Sequence, residues 1–413
     1  MDRRTFLRGS TAAAALLGYG QACSSGRASA LAANSAERLD RYINAEMAAR
    51  HIPGLSACLI HEDAVVWRKN YGFADLESNT PMTADHILNI ASIAKTFVML
   101  AVMQQVEAGL IDLDADVNDY LPFLLEHPKF PGQPITTRML LQHRSTLRDG
   151  AAYPLHYACG DPRMSLGVWV RRLFETGGDF YSPDENFAPW TPGDAYEYSN
   201  TAYGLLGHLV EITSGMEFSQ YCQRNIFAPL RMNHTSWMLA DLDVSQHAVP
   251  YTWIADNEAR GPSWGGTPLG VIRPDGATLS EPLSDGYHEN CAYSHPNYPD
   301  GFLRTSVNQL SIWARLWLDD GSVDGVRLLS ADTVRQVYGG TDFLQGLTWH
   351  TGHELDGHKL WGHGGGDPGV NTDLLMLREK RLAAIVFANT NGVTPGDFTI
   401  EILREGLAER STY

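Results

Sequence analysis

The chain has 413 residues, 44% hydrophobic and 19% charged, a balance that suits a globular protein with a sizeable core. Its net charge is −17, and because residues 1–32 carry four arginines against one aspartate, the remainder is more acidic still. Such an acidic body argues against nucleic acid or an anionic membrane surface as a partner.

The first 32 residues read as an export signal rather than as part of the fold. Asp2-Arg3-Arg4-Thr5-Phe6-Leu7-Arg8 is similar to the twin-arginine export motif. The apolar stretch behind it, residues 12–17, falls far below the ~20 residues of a transmembrane helix. Small-residue cleavage sites follow at Ala28-Ser29-Ala30 and Ala30-Leu31-Ala32. Export, with a periplasmic destination, is therefore expected. Lipidation at Cys23 is the weaker alternative, because Gly20-Gln21-Ala22 lacks a large aliphatic residue before the cysteine.

Residues 35–50 place Leu39, Tyr42, Ile43 and Met47 at helical spacing. Two alternating apolar runs, 55–60 and 64–71, flank His61-Glu62-Asp63 and predict a β-hairpin. A second hairpin is expected near the C-terminus, with runs at 374–377 and 382–387 around Arg378-Glu379-Lys380-Arg381, and a closing helix at 397–407. Between them, helical stretches are expected at 96–108, 138–143, 166–175 and 203–214. The fold class is thus α+β: an antiparallel sheet from both chain ends, flanked by helices, with an inserted mainly helical domain. The expected sheet part covers about 36–95 and 300–410, and the helical part about 96–240. Two long polar stretches, 148–190 and 240–300, exceed ordinary connections and read as binding loops. Their aromatic residues, among them Tyr153, Tyr157, Trp190, Trp264, Tyr287, Tyr293 and Tyr298, suit pocket lining and loop anchoring equally.

Cys58 and Cys222 lie in apolar segments and are expected as buried thiols. Cys159 and Cys291 lie in polar segments and are candidates for one disulfide in an oxidising compartment. No Cys/His spacing suits a zinc site.

Three groups of residues carry chemistry. Ser92 and Lys95, in Ser92-Ile93-Ala94-Lys95, are one helical turn apart and precede an apolar run to Met103. A serine hydroxyl needs a neighbour that takes its proton, and a buried lysine is one such neighbour. Alone, this pair also reads as a helix N-cap followed by a surface lysine, and such a spacing arises readily by chance. Tyr198 and Asn200, in Tyr198-Ser199-Asn200, add a candidate base and an amide that can orient a carbonyl. His363-Gly364-Gly365-Gly366 adds backbone N–H groups unshielded by side chains, the donors an oxyanion hole requires. The rival triplet His350-Thr351-Gly352 is followed by polar, turn-like residues, so His363 is preferred. No Gly-x-Ser-x-Gly nucleophile elbow is present, which argues against an α/β-hydrolase.

In order and rough spacing, these groups resemble the motifs of the penicillin-recognising serine hydrolases. The resemblance is to the class C β-lactamase branch, with its D,D-peptidases, D-aminopeptidases and family VIII carboxylesterases. Ile52-Pro53-Gly54-Leu55, Tyr71-Gly72-Phe73-Ala74-Asp75 and Leu140-Leu141-Gln142-His143-Arg144-Ser145 extend it, so that it covers about 36–410, least well in the two long loops. It implies a β-lactamase/transpeptidase-like fold and an acyl-enzyme mechanism without metal or organic cofactor. By that resemblance Ser92 is the nucleophile, and Lys95 and Tyr198 move its proton. Asn200, His363, Gly364 and Gly365 bind the substrate, and the N–H groups of Ser92 and Gly366 form the oxyanion hole. The expected substrate is a small ester, amide or peptide. One departure stands out: the family's β-lactamases usually carry lysine where this chain has His363, which favours the esterase and D-peptidase branches over β-lactamase. A non-catalytic binding protein of the same fold is the competing class, disfavoured because serine, lysine and tyrosine are all present.

Overall fold

The structure, a computed structural model, describes residues 30–253, 286–339 and 345–410, with two short strands at Ser263–Trp264 and Thr267–Pro268. Cys23 and nearly all of the expected export signal lie outside the described residues, as does the middle of the 240–300 loop.

Seven strands form one antiparallel sheet: β1 (Gly54–His61), β2 (Ala64–Asp75), β3 (Thr80–Pro81), β4 (His350–Leu355), β5 (His358–Asp367), β6 (Val370–Leu377) and β7 (Leu382–Ala388). Their spatial order is β4-β5-β6-β7-β1-β2-β3. The two chain ends meet where β1 pairs with β7, from Leu55 opposite Ala388 to His61 opposite Leu382. Both expected hairpins are present, as β1–β2 and β6–β7.

Alternation along the central strands divides the core in two. Leu374 and Met376 of β6, with Ile385 and Phe387 of β7, enter one cluster, while Leu375, Leu377, Ala384 and Val386 enter the other. Side chains of successive strand residues point to opposite faces, so a strand buried on both faces reads as a continuous apolar run. β7 does: all seven of its residues are buried.

Six helices complete the parts relevant here: α1 (Ala33–Ala49), α2 (Lys95–Glu107), α3 (Leu166–Phe174), α4 (Asn200–Ser214), α5 (Val307–Leu318) and α6 (Pro395–Arg410). α1 and α6 cover one face of the sheet through Leu39, Ile43, Met47, Phe398, Ile402 and Leu403. The other face and the inserted helical region share the larger core, which contains α2 through Phe97–Met103 and α5 through Trp313 and Trp317. The Phe97 and Trp313 rings stack with centroids 3.7 Å apart. α2 is apolar all round because it runs through this core, not along its surface.

Cys159 and Cys291 form a disulfide between the two long loops, with Cα atoms 5.7 Å apart. Cys58 and Cys222 are free and buried. Among the described residues no helix is long and apolar enough to cross a membrane.

Candidate active site

Ser92 lies in a 3-10 turn, Ala91–Ala94, that leads into α2 at Lys95. The helix expected at 96–108 is α2, displaced by one residue. Ala91 has φ +45°, a conformation outside the right-handed helix, so regular helix begins only after the serine. A non-glycine residue holds such a conformation where its surroundings over-determine it. Here the Asn89 side chain accepts from the Ala91 N–H at 2.9 Å, and Ile90 N–H donates to Leu303. The Thr372 hydroxyl of β6 donates to the Ile90 carbonyl at 2.8 Å. Gly365 of β5 completes the clamp. A Cβ there would lie 2.4 Å from the Ile90 carbonyl and 3.1 Å from the Ala91 Cβ, so only glycine lets the strand approach the turn.

Lys95 is fully buried. Its Nζ donates to Ser92 Oγ at 3.0 Å, Asn200 Oδ1 at 2.7 Å and the Asp300 carbonyl at 2.8 Å. Tyr198 Oη donates to the same Ser92 Oγ at 2.8 Å. The serine oxygen thus sits between a lysine and a tyrosine, both within proton-transfer reach.

Tyr198 is positioned by what precedes α4. The ring of His143 stacks on it with centroids 4.2 Å apart, and His143 Nδ1 accepts from the Ser199 N–H. Ser199 caps α4 by accepting from Ala202 N–H. Asp149 accepts from the N–H groups of Asn200 and Thr201, and from Asn200 Nδ2 at 2.8 Å. Burial raises the Asp149 carboxyl against the pull of those hydrogen bonds. Asn200 points its amide oxygen at Lys95 and its nitrogen at Asp149.

A cavity of about 340 Å³ opens over Ser92, lined also by Tyr198, His350, His363, Gly364, Gly366, Asp367 and Asn371. Gly364 and Gly366 line it, whereas Gly365 faces the Ser92 turn, as strand alternation requires. His363 is buried, with Nδ1 on the Gly364 carbonyl at 2.7 Å and no partner for Nε2. His350, set aside in favour of His363, lines the same cavity. β4 pairs with β5 so that His350 lies opposite Gly362, and the two imidazoles have centroids 4.7 Å apart. Burial, then the neighbouring His350 and Lys95 charges, holds His363 well below the ordinary histidine value. Burial pulls His350 down to about 4. Both rings are therefore neutral at pH 7, and the cavity presents uncharged imidazoles where a lysine would present a cation.

Sequence reasoning missed His350, Asp149, His143 and Asp367 as site residues. His143 lies within the Leu140–Ser145 segment and Asp367 directly follows the glycines, so proximity to motifs was the available signal for those two. Of the loop aromatics, Tyr293 and Tyr298 are buried anchors, while Tyr153 and Tyr157 donate to the Asp300 and Asp367 carboxyls. Among the described residues no three His, Cys, Asp or Glu side chains converge as metal ligands.

A family model described as "Beta-lactamase" matches residues 39–408. The chain belongs to the beta-lactamase family. Within that family it is 23% identical to penicillin-binding protein 4* of Bacillus subtilis (strain 168) over 331 residues, covering 79% of this chain and 65% of the relative. It is 29% identical to esterase EstB of Burkholderia gladioli over 229 residues, 53% of this chain and 55% of the relative. The chain thus matches little more than half to two thirds of the length of these curated relatives. D-amino acid amidase from Ochrobactrum anthropi SV3 has a similar fold, with a TM-score of 0.69 at 21% identity, covering 91% of this chain and 99% of the amidase. At that identity the beta-lactamase-family fold is what the two share.

Proposed function

We propose that this protein is a serine hydrolase that works through an acyl-enzyme on Ser92, cleaving an ester or amide of a small substrate. The observation that carries this reading is the placement of Ser92 Oγ within 3.0 Å of Lys95 Nζ and 2.8 Å of Tyr198 Oη. Ser92 Oγ attacks the substrate carbonyl, and its proton passes to the Lys95–Tyr198 pair. The oxyanion is held by the N–H groups of Ser92 and Gly366. As the tetrahedral intermediate collapses, the same pair returns the proton to the leaving group. Water then attacks the acyl carbon, with Tyr198 as base, and releases the acid from Ser92.

The neutral His363 and His350 favour substrates without a carboxylate at this end of the cavity. Carboxylic esters and D-amino-acid amides therefore rank ahead of β-lactams. Rates on p-nitrophenyl acetate and butyrate, a D-Ala-D-Ala peptide and nitrocefin test the order. Nitrocefin turnover is expected to be the slowest, and nitrocefin as the best substrate would overturn the ranking.

We also infer export through the twin-arginine segment at residues 1–32, a reading that the Cys159–Cys291 disulfide supports. Replacing Arg3 and Arg4 by lysine is expected to leave the protein in the cytoplasmic fraction; unchanged export would remove the assignment.

A further inference from the structure

A second, smaller hollow adjoins the cavity at Ser92, Gly366 and Asp367. It measures about 10 Å³, room for one water-sized group. Its polar wall is completed by Tyr153, Tyr157, Asn200 and Asp300.

The wall is rich in acceptors and poor in donors. Asp300 is 2% exposed; its Oδ2 accepts from Tyr153, and its Oδ1 has no hydrogen-bond partner. Asp367 is 4% exposed and accepts one hydrogen bond on each oxygen, from Tyr157 at 3.0 Å and Asn89 at 3.2 Å. An ionised carboxylate has about four acceptor sites, so both acids have capacity to spare. The buried cations do not fill it. Lys95 donates to Ser92, Asn200 and the backbone carbonyl of Asp300, and Arg304 donates to the carbonyls of Trp237, Phe302 and Tyr293. Burial pushes Asp300 up to about 7, against the pull of the nearby Lys95 charge, and burial with the neighbouring Asp300 pushes Asp367 up to about 8, so that a cation bound in the hollow would favour the ionised form of each.

A primary ammonium matches this hollow in size, sign and donor number: it is compact, positive and carries three N–H donors. The position also fits an acyl substrate. With the scissile carbon at Ser92 Oγ and its oxygen toward Gly366, a nitrogen on the α-carbon is only two bonds from the reacting atom. The hollow begins at those same two residues. We propose that the Asp300–Asp367 hollow binds the α-ammonium group of the substrate, so that the enzyme prefers α-aminoacyl esters or amides to simple acyl ones. This rests on Ser92 being the nucleophile and narrows the substrate class of that reaction.

The test compares kcat/KM on alanine p-nitroanilide, each enantiomer, with N-acetylalanine and propionic p-nitroanilides. The better free-amine substrate is expected to exceed both others by at least about tenfold, the low end for one charge-assisted hydrogen bond. Asp300→Asn, close in shape but uncharged, is expected to shrink that ratio toward one. Equal rates on the three acyl groups, as for a hollow that holds only water, would overturn the proposal. So would a preference that Asp300→Asn leaves intact. The wild-type comparison stands even if the variant does not fold. Fluorophosphonate labelling separates the two levels: no adduct on Ser92 removes the nucleophile and this inference together, whereas labelling without amine preference removes only this one.

Discussion

Asp149 does not touch Ser92, yet it decides which end of the Asn200 amide meets Lys95. Its Oδ2 takes the amide nitrogen, so the amide oxygen turns to the lysine, and its Oδ1 holds the first N–H groups of α4. Replacing Asp149 by alanine frees the amide to rotate and releases the start of α4, on which Tyr198 depends. The expected loss is roughly 10²-fold in kcat, the scale of a misplacement of about 1 Å among reacting groups, with KM little changed. A purely structural role would instead lower the melting temperature and leave the kcat of the folded fraction intact. Steady-state kinetics beside thermal melts distinguish the two. In the sequence Asp149 is one acid in a polar loop, because its partner lies 51 residues on. Ser92, Lys95 and Tyr198 were legible because local spacing and a recognisable order announce them. His350 was not: its polar surroundings suggested a turn, and only the pairing of β4 with β5 sets its ring beside His363.

At the scale of elements, the site is a junction of α2, the start of α4 and the strands β5 and β6. The hairpins could be read from alternation because each strand's pattern is local. That the glycines after His363 lie inside a strand and not a turn could not, since the reason for Gly365 is the backbone of Ile90, far away in sequence. β6 is also joined to α6 by a buried acid: Asp373 accepts a hydrogen bond from the Thr399 hydroxyl in the first turns of that helix. Burial pushes Asp373 up to about 7. The unfolded chain releases this proton near pH ~3.9, so between there and about 7 the folded state binds more protons, and stability falls as pH rises. Asp373→Asn keeps an acceptor for Thr399 but does not titrate. Its melting temperature relative to the parent is therefore expected to rise from about pH 4.5 to 7 and then level off. A difference independent of pH would contradict the assignment.

At the scale of the molecule, the chain's two ends build one sheet, and β5 of that sheet closes the site that the inserted helices open. Composition announced a large core, and the termini announced the sheet. Of the long loops the sequence showed the cysteine pair but not the tyrosine contacts, because their partners lie far away along the chain. Tyr153 reaches Asp300 and Tyr157 reaches Asp367 across 147 and 210 positions, and the disulfide joins the two loops across 132. These contacts surround the acidic hollow proposed to hold the substrate's ammonium group.

The central claim is that Ser92 forms the acyl-enzyme. Intact-protein mass spectrometry after brief exposure to a fluorophosphonate, followed by peptide mapping, tests it most directly. The account predicts one adduct per chain on the peptide containing Ser92, absent from Ser92→Ala while that variant keeps the parent's thermal melt. An adduct on any other residue, or one that persists in Ser92→Ala, would contradict it.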